Sequence, residues 1–191
     1  ALPISTSGKA KIMLPMISRV EELIWCREVL ESVKQEMRHE GLAFDEQTAL
    51  GIMLEVPSVL FSMAEMAEHA DFFSVGSNDL TQYFFAADRG NAQVKTLYDS
   101  CTPPFLRALQ FAVKEAHRAG KPVGLCGELA ADETILPLLI GIGFDELSMN
   151  YTAIPGIKHA LGQLSAGDCR SLTQNLLQNH NAQQFKAALQ N

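Results

Sequence analysis

Five residues in this chain have the types and positions to do chemistry: Glu55, Asn78, Asp79, Arg89 and Cys126. Asn78 and Asp79 sit in the run Phe72-Phe73-Ser74-Val75-Gly76-Ser77-Asn78-Asp79-Leu80-Thr81-Gln82-Tyr83. Its apolar and small residues read as a short buried strand and a turn, and the polar groups after them open a helix. In α/β folds, ligands bind just past such strand ends. A carboxylate there can ligate a hard cation, and an asparagine amide can donate to an anionic oxygen. The bland alternative is that Asn78 and Asp79 simply cap the helix. Glu55 ends the apolar run Leu50 to Leu54, where an acid is costly unless it is exposed or bound to something. It reads as a metal ligand or as a rim carboxylate held by a neighbouring helix N-terminus. Arg89, in the turn Asp88-Arg89-Gly90-Asn91, either returns a guanidinium to the same rim or pairs with Asp88 on the surface. Cys126 precedes Gly127, which allows close backbone or ligand approach. It is either a small core hydrophobe or a proton donor with a thiol near its normal pKa.

The elements that must position these groups follow a repeated order. A strand is expected over Lys11 to Ile17, then a helix capped by Ser18, with Glu21 completing a capping box and Gly41 supplying the stop. Val20, Leu23, Ile24, Leu30, Val33 and Met37 form the apolar stripe of that helix. Pro57 and Ser58 start a helix that runs to about Ala70. Thr102-Pro103-Pro104 opens another, with Leu106, Leu109, Phe111, Val113 and Ala116 inward and Gly120 at its end. The run Pro122 to Cys126 is a strand, Asp132 is expected to cap a helix through Leu139, and Glu146 to Met149 is the last strand. Helices are expected over Ile154 to Leu164 and Cys169 to Leu189, the tail fraying. Strand and helix thus alternate about five times at roughly 25–40 residues, the pattern of parallel βα units. The strands' near-continuous apolar runs imply burial on both faces, as in a (β/α) barrel. Glu55 and Asp79 end consecutive units, so both point to one rim and together could clamp a divalent cation.

Composition bounds the reading. The chain has 191 residues, 47% hydrophobic and 19% charged, which makes an ordered globular domain or a large part of one. Net charge is −7, and no basic cluster is longer than a pair, which excludes nucleic-acid binding by phosphate neutralisation. An anionic substrate would need a metal ion or a few placed arginines. Cys26, Cys101, Cys126 and Cys169 lie far apart without CxxC spacing, which indicates reduced cytoplasmic thiols rather than disulfides or a zinc site. No signal peptide and no apolar run of about twenty residues is present, so membrane insertion is not expected. An eight-stranded barrel takes about 250 residues. The chain, which opens at Ala1, is therefore expected over residues 1–191 to be the C-terminal part of such a domain in a longer protein.

Several stretches together resemble one family. Gly51-Ile52-Met53-Leu54-Glu55-Val56-Pro57, Asp71 through Tyr83, Asp88-Arg89-Gly90-Asn91 and Cys126-Gly127-Glu128 are similar to enzyme I of the bacterial phosphoenolpyruvate (PEP):sugar phosphotransferase system. The match runs to about Leu177. Pyruvate phosphate dikinase and PEP synthase share weaker versions of the same stretches. The resemblance implies an α/β fold, part of a (β/α)8 TIM barrel of the PEP/pyruvate type, approximately strands four to eight. It implies a dimeric parent enzyme that uses Mg2+ and passes the phosphoryl group of PEP to its own histidine, then to a histidine-containing phosphocarrier protein, releasing pyruvate. By the same resemblance Glu55 and Asp79 are the metal carboxylates, Asn78 contacts phosphate, Arg89 binds substrate and Cys126 donates a proton. The family's phosphohistidine stands in a Thr-Ser-His type motif, and His39, His69, His117, His159 and His180 all lie outside such a context. The isolated piece is accordingly expected to be inactive. The alternatives are a synthase or dikinase relative, and a non-catalytic dimerisation or regulatory fragment.

Overall fold

The computed structural model describes residues 2–178, 185 and 187. After a short helix α1 (Leu2–Ser5), the order is β1 (Lys11–Leu14), α2 (Val20–Glu40), β2 (Ala49–Leu54), α3 (Met63–His69), β3 (Phe73–Gly76) and α4 (Ser77–Phe85). It continues with α5 (Pro103–Arg118), β4 (Val123–Cys126), α6 (Leu136–Ile142), β5 (Glu146–Ser148), α7 (Ile154–Leu161) and α8 (Ala166–Leu177). The five strands form one sheet in the order β1-β2-β3-β4-β5, every neighbouring pair parallel. Sequential parallel order with helical crossovers is the connectivity of a (β/α) barrel, here an open arc of five strands. The last helix does not run unbroken to Leu189 as expected, since α8 ends at Leu177 with Gln178 as its C-cap; the fraying of the tail lies outside the described residues.

One face of the sheet makes the core. Leu50, Ile52, Leu54, Phe73, Val75, Val123 and Leu125 are fully or almost fully buried under the helices. The other face departs from the expected burial on both sides. It carries Lys11, Met13, Ser74, Gly124, Cys126, Glu146 and Ser148, which line a concavity of about 210 Å³. Phe72 closes the lower part of that face: its ring lies across Gly51, where a side chain would meet it at 2.5 Å, and Lys11 stands 5.1 Å from its centroid. The apolar runs therefore hide a period-two alternation, one side packed and one side small or polar.

Local corrections follow the same logic. Glu22, not Glu21, closes the start of α2, accepting from the Ser18 and Arg19 backbone N–H groups at 2.7 and 3.0 Å. Only Glu22 falls on the third helical position, within reach of those donors. Gly41 adopts φ 71° and ends the helix as expected. Val33 does not pack inward: α2 buries Leu23, Leu30, Lys34 and Met37, leaving Val33 39% exposed. Phe111 also faces out from α5, its ring 5.8 Å from that of Phe61, while Phe105 and Ala112 take the inner positions. Asp132 accepts the Thr134 N–H in a turn, and α6 begins only at Leu136, late enough to take Pro137 in its first turn. β1 ends at Leu14, because Met16 turns into the left-handed region at φ 56°.

Candidate active site

The five candidate residues come from the carboxyl ends of β2, β3 and β4 and from the loop after α4. Glu55 directly follows β2 and is buried. Its side chain crosses the end of β3, so a Cβ on Gly76 would stand 2.7 Å from its Cγ. A glycine at that position is what lets the carboxylate reach across to the next strand. There it faces Asp79, whose charge acts on it. The Met16 N–H donates to Glu55 Oε2 at 2.9 Å, an interaction that the left-handed turn after β1 makes possible. Burial raises the Glu55 pKa above its ordinary value; the Met16 N–H opposes this, and the Asp79 charge adds to it.

Asn78 and Asp79 occupy the first turn of α4. Gly76 holds the capping position and no side chain caps the helix, so neither residue is used as the bland reading required. Asp79 still gains from the positive end of the helix dipole. The helix start is fixed from beneath. Ser77 Oγ donates to the Cys126 carbonyl at 2.8 Å, and Thr81 Oγ1 donates to the Ser77 carbonyl at 2.6 Å. Gly127, at φ 115°, packs so closely on Ser77 and Asn78 that a side chain there would collide with the serine hydroxyl. This ties the end of β4 to the Asn78-Asp79 turn.

Cys126 is half-buried and borders both the concave face of the sheet and a second cavity of about 340 Å³, shared with Asn78, Glu128 and Asn150. Burial pushes its thiol up; a bond with the Ser74 hydroxyl counteracts this, and the Glu55 and Asp79 charges reinforce it. The thiol is thus harder to ionise than the ordinary value expected for it, and it stays protonated near neutrality. Arg89 is exposed and does not pair with Asp88, whose carboxylate accepts the Gly90 N–H at 2.7 Å. Its guanidinium instead acts on the hydroxyl of Tyr98, which donates to the Asn78 carbonyl at 3.1 Å.

The fold therefore brings Glu55, Asp79, Asn78 and Cys126 to one rim, and Arg89 lies exposed on the loop after α4. Reading the sequence missed three parts of this arrangement: the Met16 amide, the Ser74 hydroxyl and Tyr98. Ser74 had a signal, since alternation along β3 puts it on the same face as Gly76. The other two come from loops, whose paths leave no periodic trace.

A hard divalent ion fits this rim. The donors are two carboxylates that face each other and raise one another's energy, a repulsion that a cation relieves. Among the described residues no cluster of three or more His, Cys, Asp or Glu side chains is suited to a metal. Two carboxylates suit a hard, oxygen-preferring cation rather than zinc.

Comparison with known proteins identifies the family. The chain is 54% identical over 168 residues to multiphosphoryl transfer protein 2 of Escherichia coli K12, covering 88% of the chain and 20% of that protein. It is 41% identical over 174 residues to the phosphoenolpyruvate-protein phosphotransferase of Haemophilus influenzae, covering 91% of the chain and 30% of that protein. It spans less than a third of the length of these curated relatives. Among solved structures, a citrate lyase from Burkholderia xenovorans superposes with a TM-score of 0.57 at 17% identity, over 95% of this chain and 62% of that one. That likeness concerns the fold. The family described as PEP-utilising enzyme, PEP-binding domain, matches residues 2–166, and the chain belongs to it.

Proposed function

We propose that this chain is the substrate-binding part of an enzyme I type PEP-protein phosphotransferase. The observation that carries the reading is the meeting of Glu55 and Asp79 at the carboxyl ends of adjacent parallel strands. Glu55 and Asp79 would hold Mg2+, which supplies positive charge beside the phosphoryl and enolate oxygens. The Asn78 amide donates to a phosphoryl oxygen, and the Arg89 guanidinium pairs with the substrate's carboxylate or phosphate. When the P–O bond to the enol oxygen breaks, its electron pair stays with the organic fragment and the phosphorus passes to a histidine nitrogen. Cys126 then gives its thiol proton to the methylene carbon, completing pyruvate, and regains a proton from solvent. Burial keeps that thiol protonated until it is used.

The accepting histidine is assigned to another part of a longer parent protein, which also hands the phosphoryl group to a histidine-containing phosphocarrier protein. The names of the relatives favour this assignment over a synthase or dikinase. Homodimerisation and a cytoplasmic location complete the reading; four cysteines that lie far apart without CxxC spacing support the latter. Among the described residues no helix is long and apolar enough to cross a membrane.

Titration calorimetry tests the core of the proposal. PEP should bind only when Mg2+ is present, and Asp79→Asn or Glu55→Gln should weaken that binding at least about tenfold. PEP affinity that ignores both substitutions and the metal would overturn it.

A further inference from the structure

We propose that a cavity on the outer helical layer, between α5 and α8, binds the phosphate ester of a small polyhydroxylated molecule. Residue spacing builds the walls. On α5, Arg107, Gln110 and Lys114 fall at i, i+3 and i+7 and so share one face. Arg170, Gln174 and Gln178 fall at i, i+4 and i+8 along α8 and its cap, and share another. The apolar faces of both helices are buried, with Leu106, Leu109 and Val113 on one and Leu176 on the other. The two polar faces line one cavity of about 460 Å³, the size of a small-molecule site rather than of a lone ion. Gly141 of α6 lines it as well. A side chain there would collide with the Thr173 hydroxyl and the Cys169 carbonyl, so α6 and α8 meet backbone to backbone at this point.

The lining selects an anion. It includes three cations and no acid, in a chain whose net charge is −7. Arg118, further along α5, pairs with Glu115. Among the described residues Arg107, Lys114 and Arg170 make no ion pair, and residues 179–191 contain no Asp or Glu. Arg107 is half-buried, and its Nη1 donates to the Leu177 carbonyl at 2.9 Å, at the end of α8. That bond orients the rigid guanidinium and leaves its other donors for an oxyanion. A phosphate monoester brings close to two negative charges and three acceptor oxygens, which suits cations on both walls better than a single carboxylate does. The three glutamine amides each offer a donor and an acceptor, the pairing that hydroxyl groups need. None of these residues belongs to the Glu55–Asp79 rim, so the site is separate from the one that binds PEP.

Glucose 6-phosphate is the probe, added to the chain in EDTA so that no metal draws it to the rim. Calorimetry should show saturable binding, and the amide NMR shifts it causes should map to α5, α8 and the Gly141 end of α6. Arg170→Gln and Lys114→Gln should each weaken binding about tenfold, the size of one lost charge-assisted bond. Both side chains are exposed, so these variants should melt as the wild type does. Inorganic phosphate should bind at least about tenfold more weakly than the ester, because it forgoes the glutamine contacts. Asp79→Asn should bind the probe as the wild type does. Absence of saturation, or shifts centred on Asn78 and Cys126, would overturn the site, and the wild-type map decides this whatever the variants do. Equal affinity for inorganic phosphate or for citrate would overturn the hydroxyl-bearing ester as its ligand.

Discussion

Burial and the facing Asp79 carboxylate act together to push Glu55 upward, and the Met16 N–H opposes them only in part. A carboxyl whose folded value lies above its unfolded value holds its proton more tightly in the folded state. Folding stability therefore falls as pH rises through that window, and at neutral pH the ionised Glu55 is a burden. Glu55→Gln keeps an acceptor for the Met16 amide and a donor for Asp79 while removing the charge. It should stabilise the chain by about 1–2 kcal/mol at pH 7, as replacing a buried unpaired charge at a functional site tends to do. Mg2+ should raise the melting temperature of the wild type and leave that of the variant unmoved. A variant that melts lower than wild type at pH 7 would show that the carboxylate is not strained. Gly76→Ala probes the same residue without touching a ligand. The new Cβ would stand 2.7 Å from Glu55 Cγ, so the carboxylate must shift. Mg2+ affinity should fall about tenfold, a loss of roughly 1.4 kcal/mol, read by calorimetry.

At the opposite end of the sheet, two βα units use the same device. Asp71, just before β3, accepts the Leu50 N–H at 2.8 Å and the Arg27 guanidinium at 3.1 Å. Asp145, just before β5, accepts the Val123 N–H at 2.8 Å and pairs with His117 at 2.9 Å. Each aspartate satisfies a buried strand amide of the preceding unit and pins a helix to it. Burial works to raise Asp145, but the Val123 amide and His117 outweigh it and hold the carboxyl below its usual range. Its contribution is full above the unfolded carboxylate pKa and is lost as pH falls through the lower folded value. Asp145→Ala should therefore destabilise by about 1–3 kcal/mol at pH 7, the cost of an orphaned amide. Chemical denaturation should show the difference from wild type shrinking below about pH 4. A pH-independent difference would mean that ionisation of Asp145 plays no part. These units were legible in the sequence because apolar runs punctuated by Asp, Gly and Pro mark strand and helix ends. The acids at the rim were legible because a charge ending an apolar strand is conspicuous. What escaped depended on neighbours distant in sequence. Phe111 satisfies the helical period yet faces Phe61, and Met16 reaches Glu55 only because its own backbone turns left-handed. Tyr98 sits in a loop whose course no periodicity encodes.

Across the whole molecule, the helices run back against the strands, so helix carboxyl ends lie away from the Glu55–Asp79 rim. His39 and His69 stand in the last turns of α2 and α3, and His117 is engaged with Asp145 at the far end of the sheet. None of them is placed to take a phosphoryl group at the rim. The chain alone should release pyruvate from PEP far more slowly than the complete relatives, by several powers of ten; a coupled pyruvate assay giving a comparable rate would refute this. The outer boundary of the arc makes a second demand. Among the described residues β1 and β5 each have one strand neighbour, and β1 borders an apolar groove of about 280 Å³. Trp25, Val29 and Val33 on α2 lie along that groove, 63%, 42% and 39% exposed. An unpaired edge next to exposed apolar side chains invites association. Withdrawing each large side chain from water is worth about 1.5–3 kcal/mol, so a few of them offset much of the entropy of pairing two copies. The isolated chain should self-associate through this face at micromolar concentration. Trp25 is the only tryptophan, so its fluorescence reports on this face and on nothing else. Its emission should move to the blue as concentration rises, in step with the mass seen by sedimentation, and Val33→Lys should suppress both changes. Solvent-like emission at all concentrations, with a monomer in the centrifuge, would show that the α2 face is stable in water.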